Sequence, residues 1–107
     1  MASVNKVILI GNVGKDPDVK TTQKGETILS FSVATSEKYL EKEYVQWHRV
    51  DVFGKLASAV QDFVKKGRQI YIEGQLVYEN WEDKDGHKRT TAKVKVGFDN
   101  GVKVEDL

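Results

Sequence analysis

VQWHRVDVFGKLASAVQDFVKKG, Val45–Gly67, decides the fold, because the hydrophobic period changes inside it. Over Val45–Phe53 the pattern repeats every two residues, with Trp47, Arg49, Asp51 and Phe53 on one side and His48, Val50 and Val52 on the other, as in a β-strand. Gly54 ends that strand. Over Lys55–Lys66 the residues Leu56, Val60, Phe63 and Val64 recur at helical spacing. Gly67 is placed as a C-terminal cap, and Lys65 and Lys66 complement the helix dipole in the last turn. The two faces of the strand differ in kind. The valines suit a core, whereas tryptophan, arginine and phenylalanine need either a flat anionic ligand such as a nucleic-acid base or another subunit to cover them.

Upstream, VNKVILIGNV (Val4–Val13) reads as a first strand bent at Gly11, with a short extension over Asp18–Thr22. Thr27–Ala34 alternates Leu29, Phe31 and Val33 with Ser30 and Ser32, a second strand. Thr35–Tyr44, charged and poor in β-branched residues, reads as a hairpin-like loop carrying Tyr39 and Lys42 outward. Downstream, Arg68–Leu76 places Ile70 and Ile72 inward and runs on through Tyr78 towards Trp81. Asp83–Gly86 is a turn, and Thr90–Phe98 is a fifth strand with Ala92, Val94, Val96 and Phe98 inward and Thr91, Lys93 and Lys95 outward. The polar tail holds a short extended stretch at Val102–Val104. Three strands, a helix and two strands describe an all-β protein. The expected architecture is an OB-fold, a five-stranded Greek-key barrel with one α-helix between strands three and four. A β-sandwich is the rival, and it leaves the apolar stripe of the helix harder to bury.

The 107 residues suffice for one domain, 1–107, around one modest core. No apolar run is long enough to span a membrane, so no membrane partner is expected. MASVNK leads straight into an apolar strand without signal-peptide character, which makes the cytoplasm the expected location. The absence of cysteine excludes disulfides and thiolate chemistry. His48 and His87 are the two histidines, and neither a P-loop nor a metal-ligand pair at useful spacing occurs, so the reading is of a protein that is not an enzyme and has no cofactor or metal. Net charge is only +1, but its distribution is uneven. Basic residues prevail over Val45–Ile72 and acidic ones over Glu79–Asp85, a basic stripe beside an acidic lip.

Within an OB order, Tyr39, Trp47, Phe53 and Trp81 come from a loop, a strand face and a hairpin tip, and can line one groove. Arg49, Lys42, Lys55, Lys66 and Lys93 are placed to track phosphates. Each has a plainer reading: Trp81 can fold back on its own hairpin, Tyr39 can be loop dressing, and lysines are most often solvated surface. The uncovered faces of strands one and four also need partners, which points to an oligomer.

Four segments, NKVILIGNVGKDPDV (Asn5–Val19), FSVATSEKY (Phe31–Tyr39), WHRVDVFGKLA (Trp47–Ala57) and VKKGRQIYIEGQL (Val64–Leu76), give the chain a resemblance to the bacterial single-stranded DNA-binding proteins, in their N-terminal OB domain. The similarity runs through nearly the whole chain. It implies a homotetramer, built through dimers, that coats single-stranded DNA with little sequence preference and protects it in replication, recombination and repair. Matching positions put the family's stacking residues at Tyr39, Trp47, Phe53 and Trp81, with tyrosine where many members have tryptophan. They put backbone contacts at Arg49, Lys42, Lys55 and Lys66, and subunit contacts at His48, Tyr71 and Gln75. Two departures matter. The arm LVYENW carries Val77, Glu79 and Asn80 where many members are basic, which weakens phosphate attraction there. The sequence also ends at EDL, without the family's linker and acidic tip, which leaves two readings, a shortened sequence or a member without partner recruitment, and puts replication and repair proteins in doubt as partners. Other classes remain open: a related primosome-type module acting through protein contacts, and an RNA-binding OB domain, since a stacking groove does not itself discriminate sugars.

Overall fold

The computed structural model describes residues 2–97 and 103–107. The elements run β1 (Val7–Val13), β2 (Asp18–Thr21), β3 (Thr27–Tyr39), β4 (Lys42–Phe53), α1 (Gly54–Val60), β5 (Gln69–Glu82), β6 (Lys88–Val96) and β7 (Lys103–Asp106). β1 pairs antiparallel with both β3 and β5, β3 with β4, and β5 with β6. A parallel pairing of β4 with β6, Val50 opposite Val94 and Val52 opposite Val96, closes the ring. Closure satisfies the strand edges within the molecule, so this is the expected five-stranded barrel with one helix between its third and fourth long strands. Phe98 and the Gly101 turn lie outside the described residues.

One strand can serve two neighbours because of Gly11. β1 meets β5 from Val7 to Asn12 and β3 at Asn12 and Val13. At the changeover a Cβ on residue 11 would stand 2.3 Å from the Ala34 carbonyl oxygen, closer than any side chain can lie. Inside, Leu29, Val33, Val50, Val52, Val64, Ile70, Ile72 and Val96 are fully buried. Except for Val64, which belongs to the helical stripe, these are the inward positions that two-residue alternation selects, and each full burial is worth about 1.5–3 kcal/mol.

The helix is shorter than its pattern. Val60 and Val64 are buried, and Leu56 and Phe63 pack against the core, so the apolar stripe is as expected. The α-helix nevertheless ends at Val60, and the chain goes on through a tighter turn in which the Phe63 N–H donates to the Val60 carbonyl. Gly67 then donates to the Val13 carbonyl while Val13 donates to Arg68, joining this segment to the end of β1. A helix continued to Lys66 would carry the chain about 9 Å further along its axis, at about 1.5 Å per residue, and forfeit that junction. Gly67, at φ +85°, therefore turns a loop instead of capping the helix, and Lys65 and Lys66 lie outside the helix.

The second correction concerns Thr35–Tyr44. The expected loop is a continuous two-stranded ribbon, paired without interruption to Tyr39 opposite Lys42 and turned by Leu40 and Glu41 alone. Both turn residues have positive φ, 50° and 66°. The ribbon extends past the barrel, where neither face has a core to meet. Its sequence therefore lacks the apolar alternation that betrays a half-buried strand. At the other end of the chain, β7 lies along β5, with Val104 buried and Asp106 paired with Arg68. Among the described residues, no helix is long and apolar enough to cross a membrane.

Candidate nucleic-acid interface

Register and alternation assign the outer face of the sheet. On β4, Trp47, Arg49, Asp51 and Phe53 point outward opposite Ala34, Ser32, Ser30 and Ile28 of β3. On β6, Thr91, Lys93 and Lys95 share this face, and on β5 so do Gln75, Val77, Glu79 and Trp81. Four adjacent strands, β3, β4, β6 and β5, thus present one surface.

Trp47 is 61% exposed. Its ring lies on the backbone at Gly14, where a Cβ would come within 2.4 Å of a ring carbon. With bare backbone at Gly14 beneath it and Ala34 opposite it on β3, the ring is a largely exposed apolar surface with support on one side. Phe53 is half-buried, and the Lys95 ammonium sits 5.2 Å from its ring centroid, a cation–π contact. Trp81 is fixed by its indole N–H, which donates to the Thr91 hydroxyl at 2.8 Å. The indole therefore bonds to its own hairpin while the ring stays exposed. Arg49, Glu79, Trp81, Thr91 and Lys93 line an open cleft of about 280 Å³ beside it.

The charges on this face are already partly paired. The Lys93 ammonium lies 2.5 Å from Glu79 Oε2 and 3.5 Å from Asp51 Oδ2. Those contacts push the Lys93 pKa up, and the Lys93 hydrogen bond, with Arg49 and Lys20 further off, holds the Glu79 carboxyl below its ordinary value. Arg89 is engaged by Asp83 at 3.0 Å. Asp83 also accepts the backbone N–H groups of Asp85 and His87, and the His87 bond is the main cause of its lowered pKa. The acidic lip is therefore in part a turn-forming device.

The sequence model of the Single-strand binding protein family matches residues 4–100. The chain belongs to the single-strand binding protein family. A curated relative, Single-stranded DNA-binding protein 1 of Xylella fastidiosa, is 48% identical over 100 residues, covering 88% of this chain and 74% of the relative. Among solved structures, the Plasmodium falciparum SSB complex with ssDNA superposes with a TM-score of 0.91 at 27% identity, over 100% of this chain and 97% of that one. Both the family and the OB-fold expected from the sequence are thereby shown.

Not all the candidate residues of this family member share the face. Trp47, Phe53, Trp81, Arg49 and Lys93 do. Tyr39, opposite Lys42 at the ribbon tip, is exposed, but alternation puts both on the other side of the ribbon from Trp47. Lys55 opens the helix and lines a separate cleft with Lys24 and Ser58. Lys66 lies on the loop after the helix, its backbone N–H bonded to Asp16. Of the subunit-contact candidates, His48 is half-buried and hydrogen-bonds the Thr35 hydroxyl at 2.8 Å through Nε2. Tyr71 pairs with Ile10 of β1 and Glu105 of β7, and Gln75 is paired opposite Lys95. Sequence reasoning missed Gly14 as the seat of Trp47, Thr91 as the holder of Trp81, and Lys95 over Phe53. The outward alternation of β6 is a signal for the last two. For Gly14 there is none, because its neighbour is 33 positions away.

Proposed function

We propose that this protein binds single-stranded DNA with little sequence preference, stacking bases on Trp47, Phe53 and Trp81 while Arg49 and Lys93 meet phosphates. The observation that carries the reading is an exposed indole, Trp47, held flat on a rigid strand beside an arginine, on a face shared with two more rings. In single-strand-binding OB-folds each stacked base is worth about 1–3 kcal/mol by truncation, and stacking accepts any base. Tyr39 and Lys42 extend the contact around the ribbon tip, and Lys55 and Lys66 hold the strand as it leaves the face. The protein is a non-enzymatic DNA-binding protein acting in replication, recombination and repair, as family membership supports. One domain spans 1–107, and a cytoplasmic, nucleoid-associated location follows from the substrate.

The same reading makes it a homotetramer assembled through dimers. Ile8 and Ile10 of β1 are 55% and 52% exposed, beside Tyr71 on the outer face of the same sheet. A second copy covers that strip, with His48, Tyr71 and Gln75 near the contacts. The test is titration of tryptophan fluorescence with oligo-dT and with duplex of equal length at two salt concentrations. Quenching by the single strand alone, with affinity falling as salt rises, is expected. Equal binding of duplex would refute stacking.

A further inference from the structure

We propose that Glu79 is a built-in competitor for DNA phosphate at Lys93, so that binding a single strand requires the Glu79 carboxylate to be displaced. The inference rests on the single-strand-binding reading above and assigns this cleft its regulation. Lys93 lies in the middle of the outer face, its side chain only 17% exposed, with Arg49 and Trp81 lining the same cleft. A phosphate following a base stacked on Trp81 finds there one cation in the open, Arg49, and one already answered. Glu79 closes the contact from the exposed arm of β5, its own side chain 56% exposed, and Asp51 supports it from β4. The two carboxylates are not equivalent. Asp51 is 3.5 Å from the ammonium and largely covered, whereas Glu79 is at 2.5 Å, on a flexible two-methylene stem at the rim. Glu79 can swing into solvent; Asp51 stays.

The consequence lies in the salt dependence. Neutralising a phosphate releases the cation condensed on the nucleic acid, but the displaced Glu79 carboxylate at the rim draws a cation back, so exchanging Glu79 for a phosphate at Lys93 adds little to the salt slope. A lysine freed of that carboxylate adds about 0.7 to the slope for single strands. The lowered pKa of Glu79, caused first by its hydrogen bond from Lys93, agrees with the pairing.

The experiment measures oligo-dT affinity against salt for the wild type, Glu79→Gln, Lys93→Gln and the double variant. Glu79→Gln is expected to bind roughly fivefold tighter at low salt, with a slope steeper by about 0.7. In the Lys93→Gln background the same substitution should give no change in slope and at most a small gain. Looser binding by Glu79→Gln would mean that Glu79 holds Lys93 ready for DNA, and an equal gain in both backgrounds would mean that only the general charge of the arm matters; either result overturns the proposal. Thermal unfolding of each variant checks folding, which an exposed arm position should leave intact. Should the wild type fail to bind oligo-dT at all, the functional reading itself falls, a result distinct from either.

Discussion

Trp47 and Gly14 form a unit although 33 positions separate them. The ring is broad, exposed and supported from below by bare backbone, and any side chain at residue 14 must push it off that support. Gly14→Ala is therefore expected to leave the melting temperature within a few degrees of wild type, because an exposed ring can tilt away. It should nevertheless weaken oligo-dT binding several-fold and reduce the tryptophan quench; unaltered affinity would show that the seat does not matter. Trp47→Ala removes the ring itself, at an expected cost of about 1–3 kcal/mol in binding, or roughly five- to 150-fold. Trp81→Ala should cost less, since Trp81 stands on an arm that projects beyond the barrel, and equal or reversed losses in a binding titration would contradict the ranking. Gly11 answers to the same geometry in the core. There the obstructing atom is a backbone carbonyl that cannot swing aside, so Gly11→Ala is expected to destabilise the fold by about 2 kcal/mol or more, measured by urea unfolding.

At the scale of elements, the two long hairpins explain how a small barrel makes a wide surface. Their tips are built differently. The β5–β6 turn is organised by Asp83, whose carboxylate gathers two backbone N–H groups and Arg89. Its pKa is lowered from 3.8, so this contribution is fully present above that value and is lost as pH falls through the lower folded one. Amide protection at Asp85 and His87, relative to the intrinsic exchange rate at each pH, should therefore persist down to about pH 4 and be lost only below it; loss of protection well above pH 4 would mean that the Asp83 carboxylate does not hold the turn. The β3–β4 tip has no such device and holds Leu40 and Glu41 at positive φ. Two-residue turns of this kind favour Asn-Gly, so replacing Leu40 and Glu41 by asparagine and glycine should raise stability by about 1 kcal/mol in denaturant unfolding. Their exposed, charged flanks explain why the ribbon reads as loop in the sequence. Strand alternation is legible only where one face is buried, and α1 is overread for the converse reason, its stripe continuing past the point where the backbone turns back to β1.

For the whole molecule, barrel closure leaves a strip of apolar surface on the outside of β1, Ile8 and Ile10 beside Tyr71, away from the aromatic face. A concentration-dependent oligomer is expected by light scattering. Ile10→Lys should shift it to a smaller species while preserving circular dichroism, because the side chain is half in water already. A persistent tetramer would place the contacts elsewhere.

By itself the sequence determined the core-facing parts of the long strands and the glycine bend, because two-residue periods are local properties of a chain with one buried face, while the resemblance of four segments carried the family. Only the tertiary structure decided which rings share a surface. Trp47, Phe53 and Trp81 come together while Tyr39 turns to the far side of its ribbon, and Lys93, legible as a free cation, meets Glu79 fourteen positions before it. Register and strand pairing set those neighbours, and both depend on contacts between distant segments that no local pattern records.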